Sequence, residues 1–232
     1  MTLPMSTKST PSLCQGPIQS GGPFGLAARD CPLCPRLVAY RAENQRQNPD
    51  WFNGPAPAFG DREAWLLIVG LAPGRTGANR TGRPFTGDWA GDLLYATLAK
   101  AGLSEGNYAA HADDGLRLKG VMITNAVQCA PPANKPEPSE IAQCAPFLQA
   151  RIRSMTTLTS LLCLGKISHD ATIRVLGGKP SAHKFAHGAV HEIAGMRLYD
   201  SYHCSRYNTN TGRLTTAMFE AVFARIQADQ AR

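Results

Sequence analysis

Three short apolar runs constrain the fold of this chain more than any other feature. Trp65 to Leu71 (WLLIVGL), Val121 to Val127 (VMITNAV) and Ser160 to Leu164, which ends at Gly165, each read as a buried strand. Helical segments separate them. One runs from about Trp89 to Lys100 and stops at Gly102. Another follows the Pro-rich loop that ends at Pro138, with Ser139 placed as its cap, Glu140 in its first turn and Ile141, Phe147 and Leu148 as its apolar positions. A third spans His169 to Leu176. The stretch from Ala189 to Tyr202 supplies one or two further strands, and Thr215 to Ile226 (TTAMFEAVFARI) is an amphipathic terminal helix. Strands alternating with helices predict an α/β fold, with a mainly parallel central sheet flanked by helices on both faces. In such sheets functional loops leave the carboxyl ends of the strands.

With 232 residues, 43% of them hydrophobic, the chain can bury one substantial core, so a single domain is expected over residues 26–232. Residues 1–25 are rich in Pro, Ser, Thr and Gly, lack the apolar core of a signal peptide, and read as a flexible lead-in. No stretch approaches the roughly twenty apolar residues that span a bilayer. No membrane partner is therefore expected, and the expected location is cytoplasmic, with the chromosome. A net charge of +7 favours a polyanionic partner, although the basic residues are scattered and any binding face must be assembled by folding. Seven cysteines, an odd number without a secretion signal, argue against a disulfide framework and for free or metal-bound thiolates.

Cys31 and Cys34 form a CxxC within RDCPLCPRL. Cys129 follows the second strand in TNAVQCAPP, and Cys144 lies in the next helix in EIAQCAPFL. Together they can close a four-sulfur site for zinc or for a [4Fe–4S] cluster, and spacing does not choose between the two. The plainer alternative is an incidental CxxC with two core cysteines. Cys163 sits inside a strand, Cys14 in the lead-in and Cys204 beside His203, so all three are left out of the set.

Gly70 to Asp88 (GLAPGRTGANRTGRPFTGD) leaves a strand and enters a helix, with neither dinucleotide-binding nor phosphate-loop spacing. Arg75, Arg80 and Arg83 add charge able to meet a DNA backbone, or simply form a solvated loop. Asp88 stands where it caps the following helix, and Phe85 is either core or a stacking face for a base.

The segments CPLC, GLAPGRTGANRTGRPFTGD, ITNAVQCAPPANKPEP, LLCLG and YHCSRYNTNTGRLT together resemble the uracil-DNA glycosylase superfamily, specifically its family 5, or type b. The resemblance covers nearly everything after the lead-in. It implies a [4Fe–4S] cluster on Cys31, Cys34, Cys129 and Cys144, and a monomer acting without a dissociable cofactor. Its substrate would be double-stranded DNA containing uracil, hypoxanthine, ethenocytosine or an oxidised pyrimidine, with single-stranded DNA as a further partner. It also implies site roles. Asp88 is the active-site acid, since GLAPG holds no acid or amide. Phe85 stacks on a flipped base, Asn125 reads its edge, Asn134 holds water or substrate, and Gly70 and Ala72 complete the base pocket. His203 stabilises the departing base, while Ser205, Arg206 and Asn208 contact phosphate or shape a minor-groove loop. Cys204 departs from the proline usual at that position. Two rival readings stand beside this one: a zinc metalloenzyme using His183, His187 and His191, and a non-catalytic DNA-binding module with a structural four-cysteine metal site.

Overall fold

The computed structural model describes residues 25–231, so the expected lead-in, apart from Gly25, and Cys14 lie outside the described residues. In chain order the elements are α1 (Pro35–Gln47), β1 (Phe59–Gly60), β2 (Leu66–Gly70), α2 (Ala78–Thr81), α3 (Trp89–Lys100), β3 (Ser104–Glu105), β4 (Arg117–Leu118) and β5 (Val121–Asn125). They continue with α4 (Pro138–Ser154), β6 (Ser160–Leu164), α5 (Lys166–Val175), β7 (Val190–Ile193), β8 (Met196–Ser201), α6 (Arg206–Asn210) and α7 (Thr216–Gln230). The six-stranded sheet has the order β1-β5-β2-β6-β8-β7. Its four inner strands are parallel and its two edge strands antiparallel. This is the predicted single α/β domain.

Every residue of β2, β5 and β6 is buried, which is why their sequences read as continuous apolar runs. Alternate side chains divide the core. Leu66, Ile68, Ile123, Leu162 and Tyr199 pack against Leu94 and Leu98 of α3 and Phe219 and Phe223 of α7. Leu67, Val69, Met122, Leu161 and Leu198 pack on the other face against Leu148 and Ile152 of α4 and Ile173 of α5.

Two local expectations need correction. Ser139 does not cap α4: Pro138 is its first helical residue, suited there by its fixed φ and missing N–H. The N-cap is Glu137, whose N–H donates to the Glu140 carboxylate at 2.7 Å. Helix α5 begins at Lys166, three residues before the expected start, because Gly165 breaks the strand at φ 101° and Ser168 donates back to its carbonyl at 2.8 Å. Helix α1 has no clear apolar period, burying Leu37 and Asn44, and it escapes prediction.

Leu162 lies fully buried at the middle of the sheet. Leu162→Ala should lower unfolding free energy by about 2–5 kcal/mol, read as a reduced urea midpoint at unchanged m-value. A loss below about 1 kcal/mol would mean that this layer is not close-packed.

Candidate active site

The parallel pairing of β2 with β5 sets Gly70 directly opposite Asn125 at the carboxyl edge of the sheet. The contact is close enough to exclude any side chain at position 70. A Cβ there would lie 2.5 Å from Asn125 Oδ1 and 2.8 Å from Phe85 Cζ. Asn125 and Phe85 are both buried, and among the described residues no hydrogen bond holds the Asn125 amide. Two strands away β8 ends at Ser201 and delivers His203, whose ring stacks on Phe85 at 5.9 Å between centroids and 30° between planes.

Asp88 occupies the same crevice from the side. It is the N-cap of α3, and its Oδ1 accepts from Gly91 N–H at 3.2 Å. Its other oxygen lies over Gly77, where a Cβ would approach to 2.3 Å, so the glycine-rich loop is shaped around this carboxylate. Asn134 approaches the same loop. Gly74 faces both side chains, its Cβ position being 3.2 Å from Asp88 Oδ2 and 4.0 Å from Asn134 Oδ1. Cys204 donates its thiol to Ala90 O at 3.4 Å, joining the His203 loop to the first turn of α3.

Burial acts on both titratable groups. It raises the Asp88 pKa, opposed by the backbone N–H groups of Gly91 and Ala90. His203 is partly accessible yet crowded on nearly every side, and burial pushes its pKa down to about 4. The imidazole is therefore neutral at physiological pH.

Phe85 adopts φ 52°, a left-handed conformation costly for a bulky residue. Its neighbours explain why it persists. Tyr95 donates to Pro84 O at 2.7 Å, and Tyr108 donates to Phe85 O at 3.3 Å while accepting from Gly87 N–H at 3.2 Å. Sequence reasoning passes over both tyrosines, because the polar stretch around Tyr108 has no period.

The arginines expected at phosphates separate. Arg83 is buried and makes a bidentate pair with Asp114 at 2.7 and 2.6 Å, beneath the rings of Phe59, Tyr95 and Tyr108. Its charge is neutralised inside the fold, which removes it from the expected backbone contacts. Arg75 is partly exposed, bonded to Asn44 at 2.8 Å and lying over Trp51. Arg80 is exposed, and Arg206 is exposed over the Trp89 ring. Ser205 caps α6, and Asn208 donates to His203 O at 2.8 Å, so both shape the loop.

The four cysteines also converge. Cys34 is the N-cap of α1, and Cys31, Cys34, Cys129 and Cys144 line one pocket with Ala27, Leu37, Val127 and Phe147. None is in a disulfide. Arg41 reaches Cys129 Sγ at 3.6 Å, and Gln128 N–H reaches Cys144 Sγ at 3.4 Å. Burial, aided by neighbouring thiols, pushes Cys34 up to about 11 and Cys144 up to about 12. Such a set favours thiols in the absence of a cation and suits a soft metal group. Among the described residues the three-donor group within 4.8 Å lies elsewhere, at His169, His191 and Asp200. Ala72, expected in the base pocket, packs against this cysteine core.

The three histidines of the zinc-enzyme rival do not share a helix face. His183 and His187 lie between α5 and β7, and His191 lies on β7. Among the described residues no helix is long and apolar enough to cross a membrane.

Arg83→Met should cost on the order of 3 kcal/mol by leaving Asp114 uncompensated. The Arg83 guanidinium holds the Asp114 carboxyl well below the usual carboxylate range. The pair's contribution is therefore fully present above about pH 4 and is lost as pH falls further. Acid denaturation curves check this: Arg83→Met should lose part of the wild-type dependence below that pH, and an unchanged curve would mean the pair contributes little.

The sequence model of the uracil DNA glycosylase superfamily matches residues 57–227. A type-5 uracil-DNA glycosylase of Thermus thermophilus is 48% identical over 196 residues, covering 82% of this chain and 89% of that relative. A type-5 uracil-DNA glycosylase of Pyrobaculum aerophilum is 40% identical over 204 residues, covering 86% and 89%. A type-4 uracil-DNA glycosylase of the same organism is 30% identical over 173 residues, covering 73% and 74%.

Proposed function

The chain belongs to the uracil-DNA glycosylase superfamily, and on that premise we propose that it hydrolyses the N-glycosidic bond of uracil in double-stranded DNA, initiating base excision repair. One observation carries the reading at the level of the site: Phe85 and Asp88 from the glycine-rich loop, Asn125 from the end of β5 and His203 from the loop after β8 come together at the carboxyl edge of the sheet.

The damaged nucleotide leaves the helix against a few kcal/mol of unstacking and enters the crevice. Phe85 offers its ring to the base. The Asn125 amide has one donor and one acceptor face, matching uracil O4 and N3–H, and no hydrogen bond among the described residues competes for it. Stretching of the glycosidic bond places negative charge on the base and positive charge on the sugar. The neutral His203 imidazole donates to the base oxygen, and the Asp88 carboxylate faces the sugar cation. Water, held between Asp88 and Asn134, attacks C1′ and leaves an abasic site. Lysine plays no part in this scheme, so the strand stays intact. The family resemblance supports a pocket that also takes hypoxanthine, ethenocytosine or oxidised pyrimidines, in duplex and in single-stranded DNA. Arg75, Arg80 and Arg206 are the arginines left to meet phosphates.

Cys31, Cys34, Cys129 and Cys144 would hold a [4Fe–4S] cluster, which supplies a cross-link between the α1 turn, the loop after β5 and α4. Arg36 reinforces the same junction by a bidentate pair with the buried Glu140 at 2.8 and 2.7 Å.

Release of free base from a labelled duplex containing one uracil tests the function. Base release with strand scission appearing after alkali is expected; no release from a metal-loaded, folded protein would overturn the assignment. Asp88→Asn and His203→Ala should each slow release by on the order of 10²–10³ while leaving duplex affinity nearly unchanged. Parallel losses of rate and affinity would reassign these residues to binding. Cys31→Ser should lower bound iron and thermal stability together, whereas unchanged iron would remove Cys31 from the ligand set.

A further inference from the structure

The histidine-rich segment that base excision does not use forms a second constellation, on the far side of β8. His169 from α5, His191 from β7 and Asp200 from β8 present three donor atoms within 4.8 Å of one another. His169 Nδ1 is 2.7 Å from Asp200 Oδ1, and His191 Nε2 is 3.1 Å from Asp200 Oδ2. The side chains of His169 and Asp200 are fully buried, and His191 is 13% exposed, leaving an approach from the loop that precedes β7.

We propose that His169 Nδ1, His191 Nε2 and the Asp200 carboxylate form a binding site for a single zinc-like divalent transition-metal ion, separate from the cysteine pocket. Two imidazoles and one carboxylate are a recurrent donor set for zinc and its neighbours. The orientation of His169 matches a metal ligand. Its Nε2–H donates to the backbone carbonyl of His183 at 2.7 Å. That bond fixes the tautomer and turns the other nitrogen toward Asp200, which is how ligating histidines are ordinarily held. With bonds of about 2.0 Å, tetrahedral ligands stand about 3.3 Å apart, whereas these donors span up to 4.8 Å, so the widest pair closes by about 1.5 Å to share an ion. Binding displaces the proton between His169 and Asp200 into solvent and exchanges a hydrogen-bonded charge pair for coordination. The fourth position faces the partly exposed His191 side and takes water or the nearby His183 ring, whose centroid is 5.7 Å from that of His191. Because β8 runs from Asp200 through Ser201 to the His203 loop, the ion would pin α5, β7 and β8 beneath that loop without entering the chemistry.

The test uses the holoprotein, titrated with zinc alone and followed by calorimetry and by metal analysis after dialysis. Wild type should retain one more equivalent of zinc than His191→Ala, and zinc should raise the melting temperature of wild type and not of the variant. Replacement of the exposed His111 by alanine should change neither. Equal zinc retention in wild type and His191→Ala would overturn the proposal. X-ray absorption at the zinc edge of wild type needs no variant. A nitrogen and oxygen shell near 2.0 Å is expected, and an all-sulfur shell near 2.3 Å would place the ion in the cysteine pocket and overturn the site.

Discussion

Everything at the site depends on the buried parallel register between β2 and β5. These strands lie inside the sheet, bury every residue, and end at the same level with Gly70 opposite Asn125. Sliding either strand by one residue would exchange the side chains of its two core faces and carry Asn125 away from the loop that begins at Gly70. The apolar layers on both faces make that slip prohibitive. The precision of a polar crevice is therefore supplied by a dry sheet. The same register fixes the loops that leave its edge, one toward Asp88 and one toward Cys129.

Around that edge, strain and stiffness are distributed in an orderly way. The left-handed backbone of Phe85 is unfavourable alone, but it is held by Tyr95, Tyr108 and the buried Arg83–Asp114 pair. The opposite wall is tied by the cysteine pocket and by Arg36–Glu140. Between them lies the loop carrying His203, joined to α3 through the Cys204 thiol and to α6 through Asn208. In the proposed reaction this arrangement matters because a base-binding pocket that must be ready before the base arrives cannot be built from mobile walls.

Much of this is legible in the sequence for identifiable reasons. Buried parallel strands have a composition that nothing else of that length shares, so β2, β5 and β6 are readable to within two residues. Asp88 is legible as a cap because helix starts have their own chemistry, and its position beside a glycine loop suggests more. What escapes depends on contacts distant in sequence. Arg83 looks the same on paper whether it meets solvent or Asp114, 31 residues away. The link between His169 and Asp200 also spans 31 residues, and the conspicuous histidine spacing, 183–187–191, is a coincidence of a loop and an edge strand. Helix α1 stays hidden because it buries two residues and is held by side-chain bonds at its ends rather than by an apolar stripe.

Burial drives Asp88 and His203 in the same sense, toward their neutral forms, while the proposed chemistry asks for one charged group and one neutral group. Hydrogen bonding opposes burial at Asp88 and not at His203. Asp88 sits at a helix N-terminus, where the N–H groups of Gly91 and Ala90 and the helix dipole favour the carboxylate against the cost of desolvation. For His203 burial is the governing influence, and its pKa falls to about 4. A neutral imidazole does not neutralise the developing base anion in the ground state, and it strengthens its donation as charge accumulates, so the interaction is greatest where the bond is breaking. A protonated histidine in the same place would attract the carboxylate of Asp88 and draw the two walls of the crevice together. In the proposed reaction, keeping the imidazole neutral therefore serves both the electronics of the leaving base and the openness of the pocket.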